Sequence, residues 1–456
     1  MKFELFRTFA FERTPLSLAA LVMLGLAFGG CESRLPRMLA DGGFPADAGN
    51  GSEGGGEDAG VDGGASDGGA DGGHSPDGGR LTPIKYIVVI IKENHTFDNY
   101  FAGFPGADTS ATATLSTGAT LRRPLMGAGG MSRDLCHSHA CAATAFNSGA
   151  MDGFNLVPKA SLGNPPDNLT FVRYQEFQLP NYWQYARNFA IADHFFATTL
   201  GPSFPGHFAT VAGFNLALDN PSCSCGGVCT TPVFDPVTCA ITNARPCWDA
   251  PSIVQELPAG STWAEYGWDV LRSIKSVNNM PGVSSHFREG NQLLSDVQGN
   301  MPNLIFAHVE GALSEHPAEK VCPGENNTVS LINAIMGGPH WKETAILLLW
   351  DDWGGFYDSV APPAVKCGNG DYMTPGFRVP LLVISPYARA GSVLKTPTDQ
   401  TSIVKLVEDL WNLPRMQPQD ARIHDISAGS LLGAFDFTQP PLAPLLLAPR
   451  NCLGQP

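Results

Sequence analysis

The chain has 456 residues, of which 43% are hydrophobic, enough apolar material for one large core or two modest ones. Its formal net charge is −15, but residues 41–80 hold nine acidic residues and one arginine, so about half of the charge lies there. The remainder is mildly acidic and has no basic stripe with interleaved aromatic residues, so no nucleic-acid partner is expected.

The N-terminus has the pattern of an export signal. Three basic residues within the first thirteen precede an apolar run, 16–28, that is too short for a confident membrane span. Two glycines then precede Cys31, as in a bacterial lipobox, which predicts removal of residues 1–30 and a membrane tether through lipidated Cys31. Phe28 stands where such signals usually have an aliphatic residue, so simple secretion to the periplasm or medium is the alternative.

The next segment, 31–80, is predicted to be a disordered linker. It consists mainly of Gly, Asp, Ala and Ser and cannot bury enough apolar surface to offset the entropy of ordering. A single catalytic domain is predicted over residues 81–456.

Apolar runs in this domain predict a mostly parallel sheet. The first, Ile84–Ile91, is rich in β-branched residues, as expected for a strand buried on both faces. Stretches long enough for helices separate it from three similar runs: Leu304–Val309, Ala345–Trp350 and Val379–Ile384. Residues 401–413 have a helical apolar face and stop before Pro414. The order of elements predicts an α/β fold.

Ten cysteines remain once Cys31 is set aside, and an even number suits up to five disulfides in an exported protein. They are Cys136, Cys141, Cys223, Cys225, Cys229, Cys239, Cys247, Cys322, Cys367 and Cys452. The cluster at 223–229 could instead be a zinc knuckle, but no histidine follows at ligand spacing. Five of the ten lie in 214–250, which is predicted to be a disulfide-pinned insertion forming a rim or lid.

Two of the apolar runs end in polar pairs. Glu93 and Asn94 follow the first run, and Asp351 and Asp352 follow the run that ends at Trp350. Ligands of open parallel sheets bind beyond the carboxyl ends of the strands, so these pairs converge if the strands are central and parallel. Three carboxylates and an amide oxygen suit a hard divalent cation. Ordinary strand-to-helix turns capped by Asp and Asn are the alternative.

Ser203 lies between two prolines and two glycines in the segment 201–207, where a rigid loop could hold its hydroxyl beside a metal. Such a composition is also common in plain turns. The histidines of this domain that could act in phosphoryl transfer are His137, His139, His207, His308, His316 and His340. His137 and His316 have the most suggestive contexts, although a loop histidine is more often a surface residue.

Taken together and in order, seven segments resemble the phosphoesterase family that contains the bacterial and plant nonspecific phospholipases C and a group of bacterial acid phosphatases. The segments are 87–108, 134–139, 151–154, 191–213, 312–317, 345–363 and 376–393. They include the stretches IIKENHTFDNYF, DLCHSH, GPSFPGHF, SEHP and LLLWDDWGG. Their collinear order is more specific than any one motif.

This resemblance implies a three-layer α/β/α sandwich of the alkaline-phosphatase type and a phosphoesterase, either phospholipase C-like or acid phosphatase-like. It implies one divalent metal ion, with magnesium, calcium, manganese and zinc all open. By the family pattern the metal ligands are Glu93, Asn94, Asp351, Asp352 and Ser203. Ser203 is also the implied nucleophile, through a phosphoserine intermediate, and His137 and His316 are the implied phosphoryl contacts. The substrate is a phosphate ester, with a phospholipid as one option.

The chain departs from the family pattern at two positions. Gly206 stands where Asn is common, which removes an amide that could orient the substrate, and Ser359 stands where His is common. A catalytically silent surface lipoprotein that keeps the fold for binding is therefore the alternative function. The complete set of implied metal ligands favours the enzyme.

Overall fold

The computed structural model describes residues 82–214, 216–235, 238–366, 372–416 and 429–456. The predictions for residues 1–30, Cys31 and the linker 31–80 lie outside the described residues, as does that for Cys367. All described residues belong to one compact unit, Gly72–Pro456.

The described residues form sixteen strands and eight α-helices. The strands are β1 (Tyr86–Lys92), β2 (Thr112–Thr114), β3 (Thr120–Arg122), β4 (Ala190–Ala192), β5 (Phe195–Phe196), β6 (Thr231–Phe234), β7 (Ile241–Ala244), β8 (Trp263–Tyr266), β9 (Phe287–Arg288), β10 (Leu304–His308), β11 (Thr344–Trp350), β12 (Val365–Lys366), β13 (Tyr372–Met373), β14 (Leu381–Ile384), β15 (Ser392–Leu394) and β16 (Thr398–Asp399). The helices are α1 (Phe97–Phe101), α2 (His139–Phe146), α3 (Pro180–Asn188), α4 (Ser203–Ala212), α5 (Lys275–Asn278), α6 (Leu293–Gln298), α7 (Val321–Gly337) and α8 (Ser402–Trp411).

Eight of the strands form one sheet in the order β15-β4-β14-β11-β1-β10-β8-β9. The four predicted strands are its four central neighbours, with β1 parallel to both β10 and β11. The predicted α/β fold with a mostly parallel sheet is confirmed. β14 runs antiparallel to both β11 and β4, a direction that an apolar run of four residues does not encode.

Both faces of this sheet are covered by other parts of the chain, since every residue of β10 and β11 is buried, whichever face its side chain points to. Among the helices, α7 contacts α6 and α3, and α4 contacts α8. Helix α8 matches the helix predicted over 401–413: it buries the apolar face and ends at Asn412, whose backbone is left-handed, two residues before Pro414. Among the described helices, none is long and apolar enough to span a membrane.

Disulfides tie together the loops outside the sheet. Four pairs are Cys136–Cys141, Cys223–Cys229, Cys225–Cys247 and Cys322–Cys452. Two of them pin the insertion 214–250, whose strands β6 and β7 form an antiparallel hairpin. Disulfides persist in oxidising compartments, so this part of the prediction, an exported protein, is supported.

A buried ion-pair cluster around Arg378 joins segments that are distant in the chain. The fully buried guanidinium lies 2.7 Å from Asp193, 2.8 Å from Asp358 and 3.6 Å from Asp98. Asp193 follows β4 directly, and Asp358 lies in the loop after β11. Removing the Arg378 cation would take a positive charge from three buried carboxylates, of which Asp98 would keep Arg123 and Asp193 would keep Lys395.

We therefore expect Arg378→Met to lower the free energy of unfolding by about 3–5 kcal/mol, the usual cost of breaking a buried ion pair. Urea unfolding followed by circular dichroism, with disulfides intact, measures the change. Arg389→Met is the matched control, because the Arg389–Asp436 pair is solvent-exposed at 3.5 Å and is worth about 1 kcal/mol or less. Equal losses in the two variants would contradict the assignment.

Candidate active site

The sheet register brings the two polar pairs together. β1 and β11 are adjacent, parallel and paired up to their last residues, Lys92 and Trp350. The next residues along each strand are Glu93 and Asp351, so both acids leave the same edge of the sheet side by side. This is the convergence that the sequence predicted for central parallel strands.

Asn94 links the two strand ends directly. Its backbone N–H donates to Asp351 Oδ1 at 2.7 Å, and its side-chain amide donates to the Asp352 carboxylate at 3.2 and 3.3 Å. Asn94 has a left-handed backbone, with φ 64°, a conformation that is uncommon outside glycine and often found at functional sites. Gly354 is required opposite it, because a Cβ atom at that position would collide with the Asn94 carbonyl.

Ser203 is the first residue of α4 and its hydroxyl points into the same cluster. Its Oγ donates to Asp352 Oδ2 at 3.1 Å and to Glu93 Oε2 at 3.3 Å. A helix N-terminus favours negative charge, which suits both a developing alkoxide and a phosphate group. Glu93, Asn94, Ser203, Asp351 and Asp352 therefore form one cluster, as predicted, and none is more than 3% exposed.

The donor set of this cluster fits a divalent cation. Asn94 Oδ1 and Asp351 Oδ2 are buried and accept no hydrogen bond within the described residues, a costly state that a cation would relieve. Burial and then the Asp351 charge raise the pKa of Glu93 to about 7 and that of Asp352 well above its usual range. Such crowding of buried carboxylates is expected where a bound metal supplies the missing positive charge.

Three residues extend the cluster on one side. His207 and His308 were among the six candidate histidines of the sequence, without an assigned role, and Glu265 was not among the predicted residues. His207 Nε2 lies 3.2 Å from Glu93 Oε1 and 3.4 Å from Asp351 Oδ2. His207 Nδ1 lies 2.7 Å from His308 Nδ1, and His308 Nε2 lies 2.9 Å from Glu265 Oε1. Burial opposes protonation of His207, but the two carboxylates raise its pKa to about 9. The sequence could have indicated His207, because it comes four residues after Ser203, and residues four apart on a helix lie on the same face.

His137 and His316 are also brought together, with ring centroids 5.6 Å apart. His316 and Glu93, a member of the acidic cluster, line the same cavity of about 230 Å³ together with Trp268 and Glu310. His137 is tied to the loop after β11, because Trp353 Nε1 donates to the His137 carbonyl at 3.1 Å. Both predicted histidines therefore belong to the same region as the five-residue cluster.

The loop that carries His316 is anchored from below by a buried ion pair. Lys92 Nζ lies 3.0 Å from Glu315 Oε1, and both side chains are fully buried. Glu315 also accepts the hydroxyl groups of Tyr182 at 2.5 Å and Tyr100 at 2.8 Å. Because Glu315 precedes His316 directly, this network fixes the position of that imidazole. The sequence quoted Glu315 within the SEHP stretch but gave it no role.

The first departure from the family pattern has a structural reason. A Cβ atom at Gly206 would collide with the Asp351 carbonyl and with the Gln400 side chain. Gln400, two residues before α8, donates from its Nε2 to that carbonyl at 2.5 Å. Its side-chain amide therefore occupies the space that a larger residue at position 206 would need. At the second departure, the Ser359 N–H donates to Asp98 Oδ2 at 2.9 Å, and Ser359 is half-buried.

The insertion 214–250 packs directly against the Ser203 segment. The Phe204 N–H donates to Asn220 Oδ1 at 2.8 Å, and the Phe204 ring lies 5.3 Å from the Trp248 ring. A Cβ atom at Gly201 would approach the Leu218 carbonyl to 2.7 Å, so glycine permits this close contact. The insertion therefore borders the cluster, as a rim would.

Residues 84–414 match the model of the phosphoesterase family. The chain belongs to the phosphoesterase family. Membership confirms the resemblance drawn from the seven segments, and it confirms the prediction of an enzyme that hydrolyses phosphoric esters. The matched range spans β1 to the end of α8 and includes every residue of the cluster.

Relatives within the phosphoesterase family include phospholipases C from bacteria and plants. Phospholipase C B of Mycobacterium tuberculosis is 27% identical over 433 residues, which cover 80% of this chain and 80% of the relative. Non-specific phospholipase C6 of Arabidopsis thaliana is 26% identical and is covered to 69%, with 73% of this chain aligned. A solved protein of the alkaline phosphatase superfamily from Vibrio parahaemolyticus aligns over 51% of this chain and 60% of its own, with 12% identity and a TM-score of 0.30.

Proposed function

We propose that this protein is a metal-dependent phosphodiesterase of the phospholipase C type, with Ser203 as nucleophile and a phosphoserine intermediate. The observation that carries the proposal is the buried cluster in which the Ser203 hydroxyl lies 3.1 Å from Asp352 and 3.3 Å from Glu93. A serine hydroxyl beside several carboxylates that can bind a divalent cation is suited to metal-assisted displacement.

The cation would be held by Glu93, Asn94, Asp351, Asp352 and Ser203. Bound there, a divalent ion would lower the pKa of the serine hydroxyl and neutralise charge on the phosphoryl oxygens. Asn94 Oδ1 and Asp351 Oδ2, which accept no hydrogen bond within the described residues, support this ligand set. Its oxygen donors leave magnesium, calcium, manganese and zinc as candidates.

In the first step Ser203 Oγ gives its proton to a neighbouring carboxylate and attacks phosphorus, while the bond between phosphorus and the alcohol oxygen breaks and the alkoxide takes a proton from His316 or His137. The N-terminal position of Ser203 on α4 favours the negative charge on the phosphoryl group. In the second step water attacks the phosphoserine, which releases the phosphate product and restores the hydroxyl. Exclusion of solvent from the cluster strengthens each electrostatic contact.

His316 and His137 are proposed to hold the phosphoryl oxygens, and one of them to protonate the leaving alkoxide. Their rings are adjacent, and His316 shares a cavity with Glu93. We expect His316→Gln to lower kcat by about 100-fold or more, the usual contribution of a positioned acid. Steady-state kinetics on a chromogenic diester measure it. His286→Gln, whose ring stacks on Trp263, is the matched control; similar rates in all three proteins would contradict the role.

The substrate class is tested with two chromogenic compounds, p-nitrophenyl phosphorylcholine and p-nitrophenyl phosphate. The relatives named phospholipase C cover most of this chain, so we expect the diester to have the higher kcat/KM, by about tenfold or more. A preference for the monoester would instead indicate an acid phosphatase. Failure to hydrolyse either compound with metal bound would favour the silent binding protein.

Export and attachment complete the proposal. The disulfides between described cysteines favour an oxidising compartment. The sequence pattern before Cys31 favours a lipid anchor, with the linker 31–80 holding the catalytic domain away from the membrane surface. Mass spectrometry of the mature N-terminal peptide tests it: a diacylated Cys31 is expected, and an unmodified peptide would indicate simple secretion.

A further inference from the structure

The buried row of His207, His308 and Glu265 has no part in the mechanism proposed above. All three side chains are at most 2% exposed, although burying polar groups is costly unless each is satisfied. The row begins at the acidic cluster, where His207 Nε2 faces two carboxylates, and ends at Glu265 on β8, two strands away from β1. Burial alone does not explain why the first nitrogen points at the cluster.

The proton positions along the row follow from its contacts. His207 Nδ1 lies 2.7 Å from His308 Nδ1, so one of these nitrogens donates and the other accepts. Glu265 offers an acceptor oxygen 2.9 Å from His308 Nε2, which places the His308 proton on Nε2. His308 Nδ1 must then accept the proton of His207 Nδ1. His207 Nε2 is the nitrogen that faces Glu93 and Asp351, and it releases its proton to solvent when it binds a cation.

The spacing around His207 Nε2 is that of a coordination shell. Ligand atoms about 2.1–2.2 Å from one octahedral ion lie roughly 3 Å from each other. The Nε2 atom lies 3.2 Å from Glu93 Oε1 and 3.4 Å from Asp351 Oδ2, and the Ser203 hydroxyl lies 3.1–3.3 Å from its carboxylate neighbours. His207 Nε2, Glu93 Oε1 and Asp351 Oδ2 therefore lie close enough to one another to share a single ion.

We propose that His207 Nε2 is a nitrogen ligand of the cation in this site, oriented by His308 and Glu265. His308 and Glu265 behind the ligand are an extended form of the outer contacts that fix metal-bound imidazoles. A nitrogen donor among oxygen donors favours manganese, iron or zinc over magnesium and calcium. The inference rests on the proposed function, because it requires a cation at the cluster.

The test uses the full-length protein loaded with one equivalent of Mn²⁺ and labelled with either ¹⁴N- or ¹⁵N-histidine. Electron spin-echo envelope modulation detects a histidine nitrogen bound to manganese. We expect the modulation of the wild type to change with the isotope, and that of His207→Gln to be insensitive to it. His340→Gln is the matched control, because His340 precedes the opposite end of β11 and packs against Tyr86.

Glu265→Gln extends the test to the outer part of the row. It preserves the shape of the side chain but removes the carboxylate that orients His308, and we expect Mn²⁺ affinity to fall by about tenfold. Isothermal titration measures the affinity, and thermal unfolding of the metal-free proteins shows whether the variants fold. A purely structural role for Glu265 would change thermal stability and leave the affinity unchanged, which would overturn its assignment.

Two results separate this inference from the proposed function. In one outcome, one Mn²⁺ binds and supports turnover while the wild type shows no histidine modulation. In that case His207 is a protonated side chain beside the carboxylates and not a ligand, so this inference fails and the proposed function stands. Histidine modulation that persists in His207→Gln would likewise overturn it. If no Mn²⁺ binds and the metal-free protein is fully active, the proposed function fails as well.

Discussion

Ser203→Ala is expected to lower kcat by on the order of 10⁴-fold or more while the fold stays intact, because loss of a nucleophile removes the covalent route altogether. Ser203 is buried at the start of α4, and its Oγ makes hydrogen bonds only to site carboxylates among the contacts described. Removing one hydroxyl there leaves a small space and a less crowded set of acids. Steady-state assays on the chromogenic diester and far-ultraviolet circular dichroism measure the two effects.

The matched control is Ser285→Ala, a serine in an exposed turn, which should retain full activity. A second readout identifies the intermediate. After acid quenching of the wild type with ³²P-labelled diester, the label should appear on the peptide that contains Ser203 and be absent from the variant. Residual activity of Ser203→Ala above about 1% of the wild type would contradict the nucleophile assignment.

Removal of metal by a chelator is expected to reduce activity to below about 1%, with recovery when a divalent cation is returned. Glu93, Asp351 and Asp352 are buried within contact of one another and of Ser203, so without a cation their charges are poorly compensated. Saturating metal should also raise the free energy of unfolding, by about 2.7 kcal/mol at a hundredfold excess over the dissociation constant.

The comparison requires the metal content of each sample, measured by plasma mass spectrometry. Asp351→Asn provides a variant that weakens the site without a chelator; it should bind metal more weakly and lose activity in parallel. An apo protein with less than 0.01 equivalents of any divalent metal and undiminished turnover would exclude metal catalysis. A chelator that inactivates the protein irreversibly, with unfolding, would point to a structural ion instead.

The sequence predicted the site at the level of strand ends. Short β-branched runs that are buried on both faces identify central strands, and the polar pairs that follow them must lie at their carboxyl ends. Glu93 and Asp351 therefore converge through local sequence and the general geometry of parallel sheets, without any knowledge of loop structure. The serine loop was recognised through the resemblance to a family, since Gly and Pro around Ser203 are equally common in plain turns.

What the sequence did not predict depends on long-range packing. β14 runs antiparallel to β11, and 30 residues separate the two strands. The composition of those residues does not indicate in which direction β14 joins the sheet. His207 and His308 come from different elements, and only the pairing of β10 with β1 brings His308 behind the site. The fit of Gly206 against Gln400 likewise joins residues almost two hundred positions apart.

The central claim is that two adjacent strand ends and the Ser203 hydroxyl surround one cation. Diffraction from crystals soaked in Mn²⁺, at a wavelength where manganese scatters anomalously, tests it most directly. The predicted result is one strong anomalous peak about 2.0–2.3 Å from oxygens of Glu93, Asp351 and Asp352. A peak instead at Asp134, His137 and His316, or at Asp108, Asp193 and His194, which are the other described groups able to hold an ion, would contradict it.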